Sequence, residues 1–133
     1  MSNESLSHLD DLEIYLAIDD VAAVMNWLTS SLPHFELVRS SKKGCKFRCG
    51  VNALTSNGMV VLNAGRTGFT SVWIDSKDTP WADDVAMARS AFAALHCEVR
   101  CVESAWSNGD DPDQWLQINA SGEHIIQWVT EES

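Results

Sequence analysis

No stretch of the sequence approaches the ~18 consecutive apolar residues of a membrane-spanning helix. The Met1 to Asp11 segment is polar and acidic, without the apolar core of a secretory leader, so the expected location is cytoplasmic. Basic side chains are scarce: nine Lys and Arg stand against nineteen Asp and Glu, a net charge of −10. That balance repels nucleic-acid phosphates and anionic membranes, so neither is an expected partner, while cationic partners are favoured. Motifs that carry a reaction are missing too. There is no G-x-S-x-G, no phosphate-binding glycine loop and no H-E-x-x-H. The histidines, His8, His34, His96 and His124, have no partner at triad or metal spacing and suit turns and helix C-termini.

What is present is an ordinary globular composition, 45% apolar and 21% charged, over 133 residues. This length supports one domain, 1–133, and not two independent cores. Leu12, Ile14, Leu16 and Ile18 alternate with Glu13, Tyr15 and Ala17, the pattern of a half-buried strand. Asp19 or Asp20 then opens a helix over about 20–32, with Val21, Val24, Met25, Leu28 and Leu32 as its buried stripe and Pro33 as its stop. Strands are predicted at Phe35 to Arg39, Cys45 to Ala53 and Met59 to Asn63, with Asn57-Gly58 as a turn. The order then begins again after a connector at Ala64 to Gly68. A strand at Thr70 to Asp75 is followed by a helix over about 80–95, capped by Thr79 ahead of Pro80, with a stripe of Trp81, Val85, Ala88, Phe92 and Leu95. Strands at Cys97 to Glu103, Trp115 to Asn119 and His124 to Val129 complete the chain, the last two joined by a three-residue turn at Ala120-Ser121-Gly122. The reading is therefore an α+β fold of two tandem β-α-β-β-β units, 12–64 and 69–130. Each has one helix on mixed or antiparallel curved sheets, and residues 1–11 form a flexible N-terminal segment.

Several clusters have both a structural and a functional reading. Cys45/Cys49 and Cys97/Cys101 are spaced for one face of a strand and read as reduced core thiols. Zinc sites draw such pairs from turns, and residues four apart on a strand lie about 13 Å from each other, too far for a disulfide. Of six tryptophans, five lie in the second half: Trp73, Trp81, Trp106, Trp115 and Trp128. Trp81 falls on the helical stripe, whereas Trp106 sits in a polar loop as the ring most exposed to a ligand or partner. Arg39, Lys42, Lys43, Lys46 and Arg48 concentrate five of the nine cations on one hairpin, read as a solvated face that blunts edge pairing. Asp110, Asp111 and Asp113 share an acidic loop without the spacing of a calcium-binding loop.

The doubled unit resembles the glyoxalase, bleomycin-resistance and extradiol-dioxygenase superfamily, the vicinal oxygen chelate proteins. Two stretches carry the resemblance. Ile14-Tyr15-Leu16-Ala17-Ile18-Asp19-Asp20, with Trp27-Leu28 and Leu32-Pro33-His34-Phe35-Glu36-Leu37-Val38, is similar to that family's first strand, helix and helix exit. Ile118 to Trp128 is similar to its closing hairpin. The family holds its metal with a His or Glu at the start of each unit and a Glu in its last strand. Here Glu13 falls near the first position, the last falls on Ile126 or Gln127, and Met59 to Asn63 contains no acid. That set is short of the three or four ligands a divalent ion needs, so no metal and no cofactor is expected.

The resemblance then implies the metal-free branch: a non-enzymatic binding protein with a cleft for a small organic ligand, cationic ones included. Its ligand-binding residues would be Glu13, Tyr15, Trp73, Trp106, Gln127 and Trp128. Glu13, Tyr15 and Ala17 would face the cleft, while Ile14, Leu16 and Ile18 pack on the helix. The resemblance further implies a homodimer. The alternatives are an acidic protein-interaction module, of the immunity or regulatory kind, for a basic macromolecular partner, and a metal-dependent enzyme of the glyoxalase type. An open cleft favours the ligand reading, and a cleft filled by Tyr15, Trp73 and Trp128 counts against it.

Overall fold

The computed structural model describes residues 11–51, 53–64, 68–76, 78–102 and 114–128. Along the chain the elements are β1 (Leu12–Leu16), α1 (Val21–Ser31), β2 (His34–Ser41), β3 (Gly44–Gly50), β4 (Ser56–Leu62), β5 (Thr70–Ile74), α2 (Asp84–Leu95), β6 (Val99–Cys101), β7 (Gln114–Asn119) and β8 (Gly122–Gln127). The fold is α+β. The strands form one eight-stranded sheet in the order β2-β3-β4-β5-β1-β6-β7-β8, and every neighbouring pair is antiparallel. The two strands that open the halves of the chain, β1 and β5, lie side by side at the centre, from Leu12 opposite Ile74 to Leu16 opposite Thr70.

The alternation of β1 decides which face is covered. Leu12, Ile14 and Leu16 are fully buried, and burying side chains of this size contributes about 2 kcal/mol each. Their cross-strand partners Ile74 and Val72 continue the apolar layer, as do Val60, Phe47 and Cys45 further out and Val99 and Ile118 on the other side. Both helices pack on this face. From α1 come Val24, Trp27 and Leu28, and from α2 come Val85, Met87, Ala88 and Ala91. The helices meet where Trp27 stacks on Trp81 at 5.3 Å and donates its indole N–H to Ser90 Oγ at 3.1 Å. They cover the sheet margins only in part, and Leu37 on β2 and Ile125 on β8 stay exposed. Among the described residues no helix is long and apolar enough to cross a membrane.

The first helix begins as its sequence dictates. Asp20 accepts from the Ala23 N–H at 3.1 Å, and the chain leaves the helix at Leu32, just before Pro33. The second begins later than Thr79-Pro80 suggests, because Asp83 takes the capping role, accepting from Ala86 N–H at 2.9 Å. Thr79 Oγ1 instead accepts from the Trp81 N–H at 3.1 Å, a tight turn that swings Trp81 into the core ahead of the helix. At the other end His96 adopts the left-handed conformation, φ 56°, and closes the helix with a bond from its N–H to Phe92 O.

Three further expectations are corrected. Asn57-Gly58 is not a turn but the interior of β4, paired with Arg48 and Phe47. Glycine is required there because a Cβ would come closer than 3.0 Å to three atoms of the Phe47 ring, which crosses the position. β6 is only three residues long, so Cys97 precedes it and does not share a strand with Cys101. The final hairpin turns over two residues, since Asn119 already pairs with Gly122.

Candidate functional site

The face opposite the helices carries the remaining residues of each strand. One row crosses all eight strands through cross-strand partners: Ser41, Gly44, Val61, Ser71, Tyr15, Arg100, Gln117 and His124. A parallel row runs Arg39, Lys46, Met59, Trp73 and Glu13. The face is therefore basic toward β2 and β3, and aromatic with carboxylates from β5 through β8.

The aromatic part is a packed cluster. Tyr15 meets Trp115 and Trp128 edge to face, each at 5.4 Å, and the two indoles meet each other at 4.9 Å. Phe69 lies 4.8 Å from Trp128. Such edge contacts stabilise each pair by about 0.5–1.5 kcal/mol beyond burial. The Arg100 guanidinium sits over both Phe69 and Trp128, at 4.8 and 4.6 Å, in cation–π geometry. Arg100 Nε donates to Glu98 Oε2 at 2.7 Å, and the Gln117 amide donates to the same oxygen at 2.9 Å. Trp128 is only 6% exposed, so the rings fill the space between them. Glu13 and Trp73 extend the cluster along β1 and β5. The Tyr15 hydroxyl donates to Glu13 Oε2 at 3.4 Å, and Trp73 Nε1 donates to Asp11 Oδ2 at 3.2 Å.

Of the six residues read from the sequence as ligand-binding, the structure brings Tyr15 and Trp128 into contact and sets Glu13 and Trp73 beside them on the same face. Gln127 pairs with Gln114 and falls in the alternate, helix-side set of β8. Trp106 lies outside the described residues, as do the acidic loop at Asp110, Asp111 and Asp113, and His8. Phe69, Glu98, Arg100, Trp115 and Gln117 join the cluster without having been singled out as site residues. Alternation from Trp128 back through Ile126 to its partner Trp115 could have found the second indole. Arg100 becomes visible only once β6 is known to pair with β1.

Other reactive groups have structural surroundings. Cys45, Cys49 and Cys101 are buried on the helix side, Cys97 is half-buried, and none of the four is in a disulfide. Burial pushes the Cys49 thiol up to about 11, with the negative charges of Asp75 and Asp78 adding to the shift. Asp78 is a loop clamp, accepting from Val51 N–H and the Thr55 hydroxyl at 3.2 and 3.0 Å. His34 Nδ1 bonds the Val51 carbonyl at 3.0 Å, and His124 lies 3.4 Å from Ser121 Oγ in an exposed turn. That hydroxyl also donates to Asn119 Oδ1 at 2.8 Å, so its proton is aimed away from the imidazole. Among the described residues no three His, Cys, Asp or Glu side chains converge on a metal-sized site. Searches for a matching family model, a matching curated protein and a matching solved structure each found none.

Proposed function

We propose that the chain is a non-enzymatic interaction module that docks a basic protein partner on the open face of its sheet. One observation carries this reading: the face opposite the helices bears a self-packed aromatic cluster edged by Asp11, Glu13 and Glu98. Aromatic side chains held by their neighbours lose little freedom on binding and serve as anchors at interface centres. A net charge of −10 draws a cationic partner in and rejects acidic ones. The reading keeps the protein in the reducing cytoplasm, which suits four cysteines outside any disulfide.

The test is a fluorescence titration with an arginine- and leucine-rich peptide of about 15 residues, long enough to cross several strands. Trp115→Ala removes one ring without changing charge and is expected to weaken binding about tenfold or more. Glu36→Gln, at the far end of the face, should change it less than about twofold, as expected of a rim charge. Affinity that follows net charge alone and ignores Trp115 would refute the reading.

A second reading, a glyoxalase-like cleft built from tandem units and taking a small organic cation, draws support from Arg100. Its guanidinium shares the Phe69 and Trp128 rings with Glu98 as counterion, the surroundings an organic cation would seek. On that reading the protein is also a homodimer, and Arg100→Ala should open a place for benzyltrimethylammonium, raising the melting temperature of the variant only. No shift in the variant removes it.

A further inference from the structure

We propose that the basic end of the open face is a binding site for a small organic phosphate, a phosphoryl head on a short apolar stem. The site is a cavity of about 270 Å³ at the β2–β3 turn, walled by Arg39, Lys43 and Lys46 over a floor that includes Gly44, Met59 and Val61.

Its construction departs from what sheet stability alone favours. Continuing the β2–β3 register from Leu37 opposite Phe47 would put Val38 opposite Lys46 and send Arg39 to the helix side. A bulge between Leu37 and Arg39 instead sets Arg39 directly opposite Lys46. Bulges re-aim side chains in this way beside functional sites. The outcome is two like charges as direct cross-strand neighbours, an unfavourable pair, in a protein whose net charge is −10. Among the described residues neither cation has an ion-pair partner, nor does Lys43. The carboxylate of β2, Glu36, is paired in register with Arg48 and not with them.

The turn is fixed around the cavity. Lys43 N–H donates to Ser41 Oγ at 3.2 Å, and the Lys43 carbonyl accepts from Leu62 N–H at 2.8 Å. Gly44 is held at φ 147°, where a Cβ would run into the Val60 backbone, so the floor at this point carries no side chain. Three cations lining one cavity match the charge of about −1.5 to −2 on a phosphomonoester better than that of a single carboxylate. Met59 and Val61 give an apolar stem something to lie on. This inference is independent of the docking surface, since it uses none of the cluster residues.

Hexyl phosphate, hexanoate and inorganic phosphate, titrated into the full chain at fixed ionic strength and followed by backbone amide NMR, test it. Hexyl phosphate should saturably shift the Gly44 and Val61 amides and bind at least about tenfold more tightly than either of the other two. Arg39→Gln and Lys46→Gln should each weaken it about tenfold while leaving the melting temperature unlowered, because each relieves the like-charge pair. Lys42→Gln, the same charge change on a residue outside the cavity wall, should stay within about twofold. The inference fails if hexyl phosphate gives no saturable shift, if hexanoate or inorganic phosphate binds as well, if Lys42→Gln matches the other two variants, or if a thymidine oligonucleotide outcompetes hexyl phosphate.

Discussion

Replacing Gly58 by alanine adds one methyl group and should cost the fold about 2 kcal/mol. Gly58 sits inside β4, opposite Phe47 on β3 and Ile74 on β5, with ordinary extended backbone. A Cβ there would lie closer than 3.0 Å to Cζ, Cε1 and Cε2 of Phe47. The ring has nowhere easy to go. It is 1% exposed and stacked on Phe35 at 5.1 Å, so its movement displaces a second aromatic on the edge strand. Forced overpacking of this kind costs typically 1–3 kcal/mol, and the loss of unfolded-chain freedom on going from glycine to alanine returns up to about 1 kcal/mol. With three ring atoms in the way the upper end of that cost applies, and a net loss near 2 kcal/mol corresponds to roughly 6–8 °C in melting temperature for a domain of this size.

Urea unfolding of Gly58→Ala, Phe47→Leu and the double variant separates packing from backbone effects. Phe47→Leu alone loses buried area and should cost about 1–2 kcal/mol. In the double variant the smaller side chain makes room for the new methyl, so the combined loss should fall short of the sum by about 1 kcal/mol or more. Losses that add to within about 0.3 kcal/mol, or a single Gly58→Ala variant as stable as the parent, would refute the packing account.

Two other outcomes follow from titrating groups. Arg89 binds Glu123 through two bonds of 2.8 and 2.9 Å and holds its carboxyl below the usual glutamate range, so the pair stabilises above that range and the benefit is lost as pH falls through the lowered value. Both side chains are more than a third exposed, so the contribution is a few tenths of a kcal/mol, and Glu123→Gln should flatten the acid limb of stability against pH by about that much. Burial, with Asp75 and Asp78 adding to it, raises the Cys49 thiol to about 11, so iodoacetamide at pH 8 should leave Cys49 unmodified in the folded protein and label it in urea. Peptide mass spectrometry reads this directly, and rapid labelling of Cys49 in buffer would contradict the burial.

Legibility in the sequence depended on how local the deciding contact was. The β1 alternation and the Asp20 cap act within a few residues, and both are where the pattern put them. Asn57-Gly58 and Thr79-Pro80 are strong local signals that lost to distant partners. Phe47 requires a glycine across the ladder, and Trp81 is drawn onto Trp27, 54 residues earlier, before the helix starts. Trp27 was itself absent from the buried stripe for the same reason. The site divides likewise. Tyr15 and Trp128 could be placed on one face by parity, but Arg100 reaches Phe69 and Trp128 only because β6 lies against β1. The element order along the chain says nothing of that pairing, nor of β1 and β5 lying side by side.

The sheet order also explains how one face can hold two opposite chemistries. The cations of β3 and the Arg100–Glu98 pair beside β6 are separated by four strand spacings, about 19 Å. That is more than twice the Debye length of about 8 Å at physiological salt, so the hairpin cations add little to the field at Glu98, and Glu13 on β1, three spacings away at about 14 Å, also lies beyond that length. In these two rows, uncharged Met59 and Val61 on β4 and Trp73 and Ser71 on β5 stand between the hairpin cations and β1, where Glu13 is the first carboxylate. A cationic partner approaching from the β6–β8 side and an anion entering at the β2–β3 turn would therefore meet surfaces of the right sign without competing. The separation rests on β1 and β5 occupying the centre, the part of the sheet whose other face is most completely buried.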